Sequence, residues 1–212
     1  MHPIIRSIIL LSVIAVACSK KDPALESAGG ALPEFRRLVT ADNYRKLGFE
    51  SLDELQNMTL GVAIPVYYVG LSEIKQFKPG DDPNKFLSNA NEKIYPVLVA
   101  GGVRSSVALK NHDGGWQVRS FGRPNLSRAL ARIRDEDAAA GSLSPSDFFA
   151  VEIPSLYFAF IGHRAGDNLL LTHVHDHADL AFDTGEMAPA AEVFAKIAQA
   201  AQGQSGALSA SQ

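Results

Sequence analysis

Residues 94 to 122 read IYPVLVAGGVRSSVALKNHDGGWQVRSFG, three apolar-rich runs separated by Gly101-Gly102 and by His112-Asp113-Gly114-Gly115. Paired glycines suit the positive φ angles of a tight two-residue hairpin, so the stretch predicts a three-stranded antiparallel meander. A loop centred on Gly101-Gly102 sets Ala100 opposite Val103, Leu98 opposite Ser105, Pro96 opposite Val107 and Ile94 opposite Leu109. The second turn sets Asn111 opposite Trp116 and Leu109 opposite Val118. Directly opposed antiparallel residues share a face. One face then carries Ile94, Leu98, Val103, Val107, Leu109, Trp116 and Val118, with Trp116 in the core. The other carries Tyr95, Val97, Val99, Arg104, Ser106, Lys110, Gln117, Arg119 and Phe121. A sheet buried mainly on its first face follows.

Downstream, Pro124-Asn125 opens an amphipathic helix with Leu126, Leu130 and Ile133 on one stripe. Gly141 to Ser146 is a linker and a possible subdomain boundary. Phe148 to Ile153, Leu156 to Gly162 and Leu169 to Val174 are strands, the last two divided by a loop from His163 to Asn168. Met187 to Ala201 is a final helix, and the tail from 202 to 212 is read as disordered. Upstream, short helical pieces are expected over Pro33 to Val39 and Ala41 to Leu47. A capping box at Ser51 to Glu54 opens another. Val62 to Val69 is a strand that Pro65 consigns to an edge or a bulge. Leu71 to Phe77 is a helical turn, and Asp82-Pro83 caps a short helix to Ser88. The order predicts an α+β domain over 33–201, antiparallel meander sheets packed against amphipathic helices. The hairpin ending in Gly114-Gly115-Trp116-Gln117-Val118 resembles small envelope modules of the PepSY or cystatin-like kind, which implies a curved sheet packed on a helix.

The first residues carry a different signal. Ile8 to Ala17 is a ten-residue apolar run behind Arg6, the layout of an export signal, and at about 1.5 Å per residue it is too short to span a hydrocarbon core of about 30 Å. Cys18, the single cysteine, follows at once. No internal disulfide and no cysteine-based zinc site can be built. Residues 1–17 resemble a bacterial lipoprotein signal peptide, whose box ends in a small residue before a cysteine that is cut free and acylated, palmitate included. The resemblance implies Cys18 as the lipidated first residue, and Ser19 after it implies sorting to the outer membrane. Ala15 stands where that family carries Leu, and Ala15-Val16-Ala17 also fits ordinary secretory cleavage. Residues 18–32 are polar and glycine-rich, as suits a flexible tether.

Net charge −3 and a pI near 6.1 give no basic surface of the kind that nucleic acid requires. Walker and GxGxxG loops are absent, and no cofactor is implied. His173, His175 and His177 alternate and could meet one metal ion. On a strand, however, His173 and His177 stand about 13 Å apart, which leaves at most a weak two-histidine site. Ser105 and Ser106 lie mid-strand without a nucleophile elbow, and His112 and His163 read as hairpin-turn residues. On the mixed face, Arg104, Lys110 and Arg119 meet beside Tyr95 and Phe121, a composition suited to docking an acidic or amphipathic partner. The sequence therefore points to a membrane-anchored, non-catalytic envelope module that binds a protein or a small ligand.

Overall fold

The computed structural model describes residues 22–176 and 180–209. Cys18, the apolar run of residues 8–17 read as an export signal, and His177 lie outside them. The chain is α+β. Its strands are β1 (Thr59–Leu60), β2 (Ile64–Tyr68), β3 (Ser88–Val99), β4 (Gly102–His112), β5 (Gly115–Phe121), β6 (Phe149–Ile153), β7 (Phe158–Ala165), β8 (Asn168–His173) and β9 (Met187–Pro189). They form one sheet in the order β5-β4-β3-β2-β6-β7-β8-β9, with β1 beside β3. Every pair is antiparallel except β2 and β6, which run parallel at the centre. The strands on both sides of the 141–146 linker thus belong to the same sheet.

Four helices cover this sheet: α1 (Pro23–Leu38), α2 (Leu71–Gln76), α3 (Pro124–Gly141) and α4 (Ala190–Ser209). The β2–β6 register puts Tyr67 beside Val151 on one face and Val66 beside Ala150 on the other. The first face has two cores. Tyr95, Val97, Val99, Val107 and Leu109 lie under Phe35 of α1. Val151, Ile153, Phe160 and Leu171 lie under Ile74 of α2 and Val193, Phe194 and Ile197 of α4. On the opposite face Ile64, Val66, Ile94, Ala150 and Ile161 pack against Leu130 and Ile133 of α3. Burial of each large apolar side chain contributes about 1.5–3 kcal/mol.

Residues 23–32 are not a tether but most of α1. Asp22 accepts from the Ala24 N–H at 2.9 Å, Pro23 fills the first helical place, and Arg36 and Arg37 stand in the last turn. The buried stripe is Ala24, Ala28, Ala31 and Phe35, and alanines give a faint hydrophobic period that Gly29-Gly30 obscures further. At the other end α4 continues to Ser209, so Gln202 begins no irregular tail. Ser51 opens no capped helix. Residues 53–57 form a short 3-10 turn, and Glu54 accepts from the Glu50 N–H instead.

The first hairpin departs from the expected register. Its left-handed pair is Ala100 and Gly101, at φ 49° and 81°, so Gly102 pairs with Val99 and Leu98 with Val103. Arg104 is then an extra residue, and beyond it Tyr95 faces Val107 and Ile94 faces Ala108. A one-place shift in register turns a strand over. Tyr95, Val97 and Val99 therefore join Val107 and Leu109 under α1, and Ile94 turns to α3. In the second hairpin Asn111 opposes Trp116 and Leu109 opposes Val118, as expected. Trp116 is nonetheless only half-buried, with the Lys93 ammonium 5.1 Å from its ring centre. Pro65 pairs only with Lys93, one residue before β6 joins at Val66, and a register shift follows at Val66/Tyr67. A residue with no N–H is accommodated there.

Candidate functional site

The docking group expected on the meander is dispersed. Arg104, the extra residue of β4, reaches Glu50 at 3.0 Å and Glu54 at 2.9 Å. Tyr95 is buried under α1, and Phe121 stacks on Phe35 with ring centres 4.7 Å apart. Lys110 and Arg119 do come together, on Glu92, a carboxylate only 5% exposed. Tyr68 donates to Glu92 at 2.9 Å and accepts from Arg119 at 2.9 Å. Burial raises the Tyr68 pKa, with Arg119 opposing and Glu92 reinforcing, so the hydroxyl stays protonated. These contacts tie strands β2, β3, β4 and β5 together around one buried carboxylate, with the Lys110 and Arg119 side chains 39% and 49% exposed.

The histidines also separate. His173 is buried between Phe160 and Phe182, with ring centres at 4.9 and 4.0 Å, whereas His175 is exposed. Among the described residues, no three His, Cys, Asp or Glu side chains are grouped to hold a metal ion. His112 ends β4 in the open. His163 is not a turn residue: it lies buried within β7, its ring 5.0 Å from that of Phe148. Ser106 donates to the Gly122 carbonyl at 2.6 Å and has a structural partner.

A cleft does exist on the α3 face, next to the Glu92 cluster. Tyr68 is in register with Glu152 on β6, and Glu152 with Ala159 on β7. Glu152 is the one charge in a strand reading FAVEI, and Arg123 reaches it at 3.5 Å. Arg123 begins α3 from the left-handed region, φ 55°. Leu126, Pro154 and Phe158 wall a cavity of about 310 Å³ over this pair, with His175 and Tyr157 also lining it. Tyr157 is 88% exposed and has φ 58°. A left-handed tyrosine costs on the order of 1–3 kcal/mol and persists where surrounding structure or function holds it. Here the short 3-10 turn Pro154–Leu156 holds it, the Tyr157 N–H donating to the Pro154 carbonyl at 3.3 Å.

Apolar walls around one carboxylate and one guanidinium, with an aromatic ring standing at the mouth, can bind and orient a ligand that offers both polar groups and apolar surface. The residues of this cleft come from three separate stretches, so no single run of sequence displays it. Two signals were readable: Glu152 as a lone charge in an apolar strand, and Tyr157 closing a Pro-Ser turn. Compared with known proteins, the chain matches no family model, no curated protein and no solved structure.

Proposed function

We propose that the protein is a lipid-anchored, non-catalytic binding module of the bacterial cell envelope, tethered to the outer membrane through Cys18, and that the Arg123/Glu152/Tyr157 cleft takes its ligand. The anchor rests on the export-signal layout of residues 1–17 and the sole cysteine after them. The cleft rests above all on Tyr157, a fully presented aromatic in an unfavourable backbone conformation at the mouth of a cavity with an Arg–Glu floor. Exposed tyrosines that lose little side-chain entropy are effective contact residues.

Cys18→Ser tests the anchor, since stable membrane attachment takes several acyl chains at about 0.8 kcal/mol per buried CH₂. The variant is expected in the soluble fraction, and unchanged sedimentation with membranes would refute lipidation. For the cleft, a photo-cross-linking residue is introduced at Ser155 beside the cavity, with one at Met187 as control. A discrete adduct from position 155, absent from 187 and lost on Tyr157→Ala, is expected in intact envelopes. Identical adducts from both positions would remove the cleft from consideration.

A further inference from the structure

A second cavity, of about 500 Å³, lies on the side of the molecule where the chain enters the fold. Leu25 of α1 and Leu60, Val62, Ala63 and Pro65 around the β1–β2 loop supply its apolar walls, with Asp22, Lys93 and the ring of Tyr95 beside them. Leu25 is 49% exposed and Val62 46%, so two branched apolar side chains face solvent across one groove. Its rim carries one formal pair, Lys93 with Asp22 at 3.0 Å. Neither charge is left over to repel an apolar or an anionic surface.

Asp22 is four residues after Cys18. An extended chain covers at most about 14 Å over that distance. Acyl chains attached at Cys18 therefore hold this groove near the bilayer. We propose that the Leu25/Val62 groove is the face on which the protein rests on the membrane, its exposed apolar side chains entering the headgroup boundary. This rests on the reading of Cys18 as the lipidated residue. It adds an orientation, because a body seated on this groove is fixed relative to the bilayer and does not swing on a leash.

Because acylation consumes the Cys18 thiol, Leu25→Cys, Val62→Cys and Met187→Cys each give the acylated protein one free thiol for a polarity-sensitive NBD label. Met187 is an exposed control on β9, at the far edge of the sheet. On vesicles of phosphatidylethanolamine and phosphatidylglycerol, labels at 25 and 62 are expected to brighten and shift to the blue, with no change at 187. An absent response at 25 and 62, or an equal response at 187, would overturn the proposal. So would a response in vesicle-free Cys18→Ser protein, which would make the groove a contact between copies. Failure of the parent reading is separate: it shows as an intact thiol at Cys18 by mass spectrometry.

Discussion

Strands β6, β7 and β8 pair without interruption, from Phe149↔Gly162 to Ala165↔Asn168, whereas each of the β2–β3, β3–β4 and β4–β5 pairings carries a register shift. The even half is dominated by apolar side chains that alternate between α4 and α3. In the shifted half two of the extra residues are arginines, Arg104 on β4 and Arg119 on β5. Each reaches carboxylates: Arg104 those of Glu50 and Glu54, Arg119 that of the buried Glu92. Bulges re-aim side chains that a regular ladder would send elsewhere. The difference shows how one sheet can hold a bulge-aimed charged network at one end and an unbroken ladder at the other.

The largest effect expected from breaking the shifted half is loss of its helix cover. Phe35 is fully buried and stacks on Phe121, so Phe35→Ala should cost about 3–5 kcal/mol in denaturant unfolding. An unchanged midpoint would mean that α1 is not part of the folded body. Glu92→Gln removes the negative charge shared by Lys110, Arg119 and Tyr68, and about 1–3 kcal/mol should be lost. Near-neutral behaviour would show that the network only decorates the sheet.

These same residues mark the limit of what the sequence discloses. The strands β6, β7 and β8, the α3 stripe and the α+β class follow from apolar runs and turn residues, which depend on local pattern. The first hairpin does not, because the extra residue Arg104, and not the place of the turn, brings Tyr95, Val97 and Val99 onto the face of Val107 and Leu109 under α1. Arg104 then sits out of the ladder, a place that no alternation rule anticipates. Glu152 stands out as the lone charge of its strand, but its pairing with Arg123 is hidden, since only the parallel β2–β6 pairing carries Glu152 beside Tyr68 and within reach of α3's first turn.

Tyr157 sharpens the comparison from the even half. Replacing it by Gly relieves the left-handed backbone while removing an exposed ring, so Tyr157→Gly should leave stability equal or raise it by at most about 1 kcal/mol. A clear loss of melting temperature would assign the tyrosine to the fold. The smallest effect lies at the α1 terminus. Asp22 has its carboxyl pKa lowered: burial opposes this, but the Lys93 hydrogen bond and the Ala24 N–H outweigh it. A depressed folded-state pKa gives stability that is present above the unfolded value of about 3.9 and lost as pH falls through the folded one. The carboxylate is half exposed, so the contribution is about 0.5 kcal/mol. Wild type should lose slightly more stability than Asp22→Asn between about pH 4 and pH 2, and parallel curves would remove this link.

The central claim is that charges in the shifted half belong to the fold and those in the cleft to binding. It is tested most directly by measuring melting and the position-155 adduct together in Arg119→Ala and Arg123→Ala. Arg119→Ala should melt earlier yet, below its transition, give the adduct at wild-type yield. Arg123→Ala should melt like wild type and lose the adduct. Retention of the adduct by well-folded Arg123→Ala, or its loss from folded Arg119→Ala, would contradict the account.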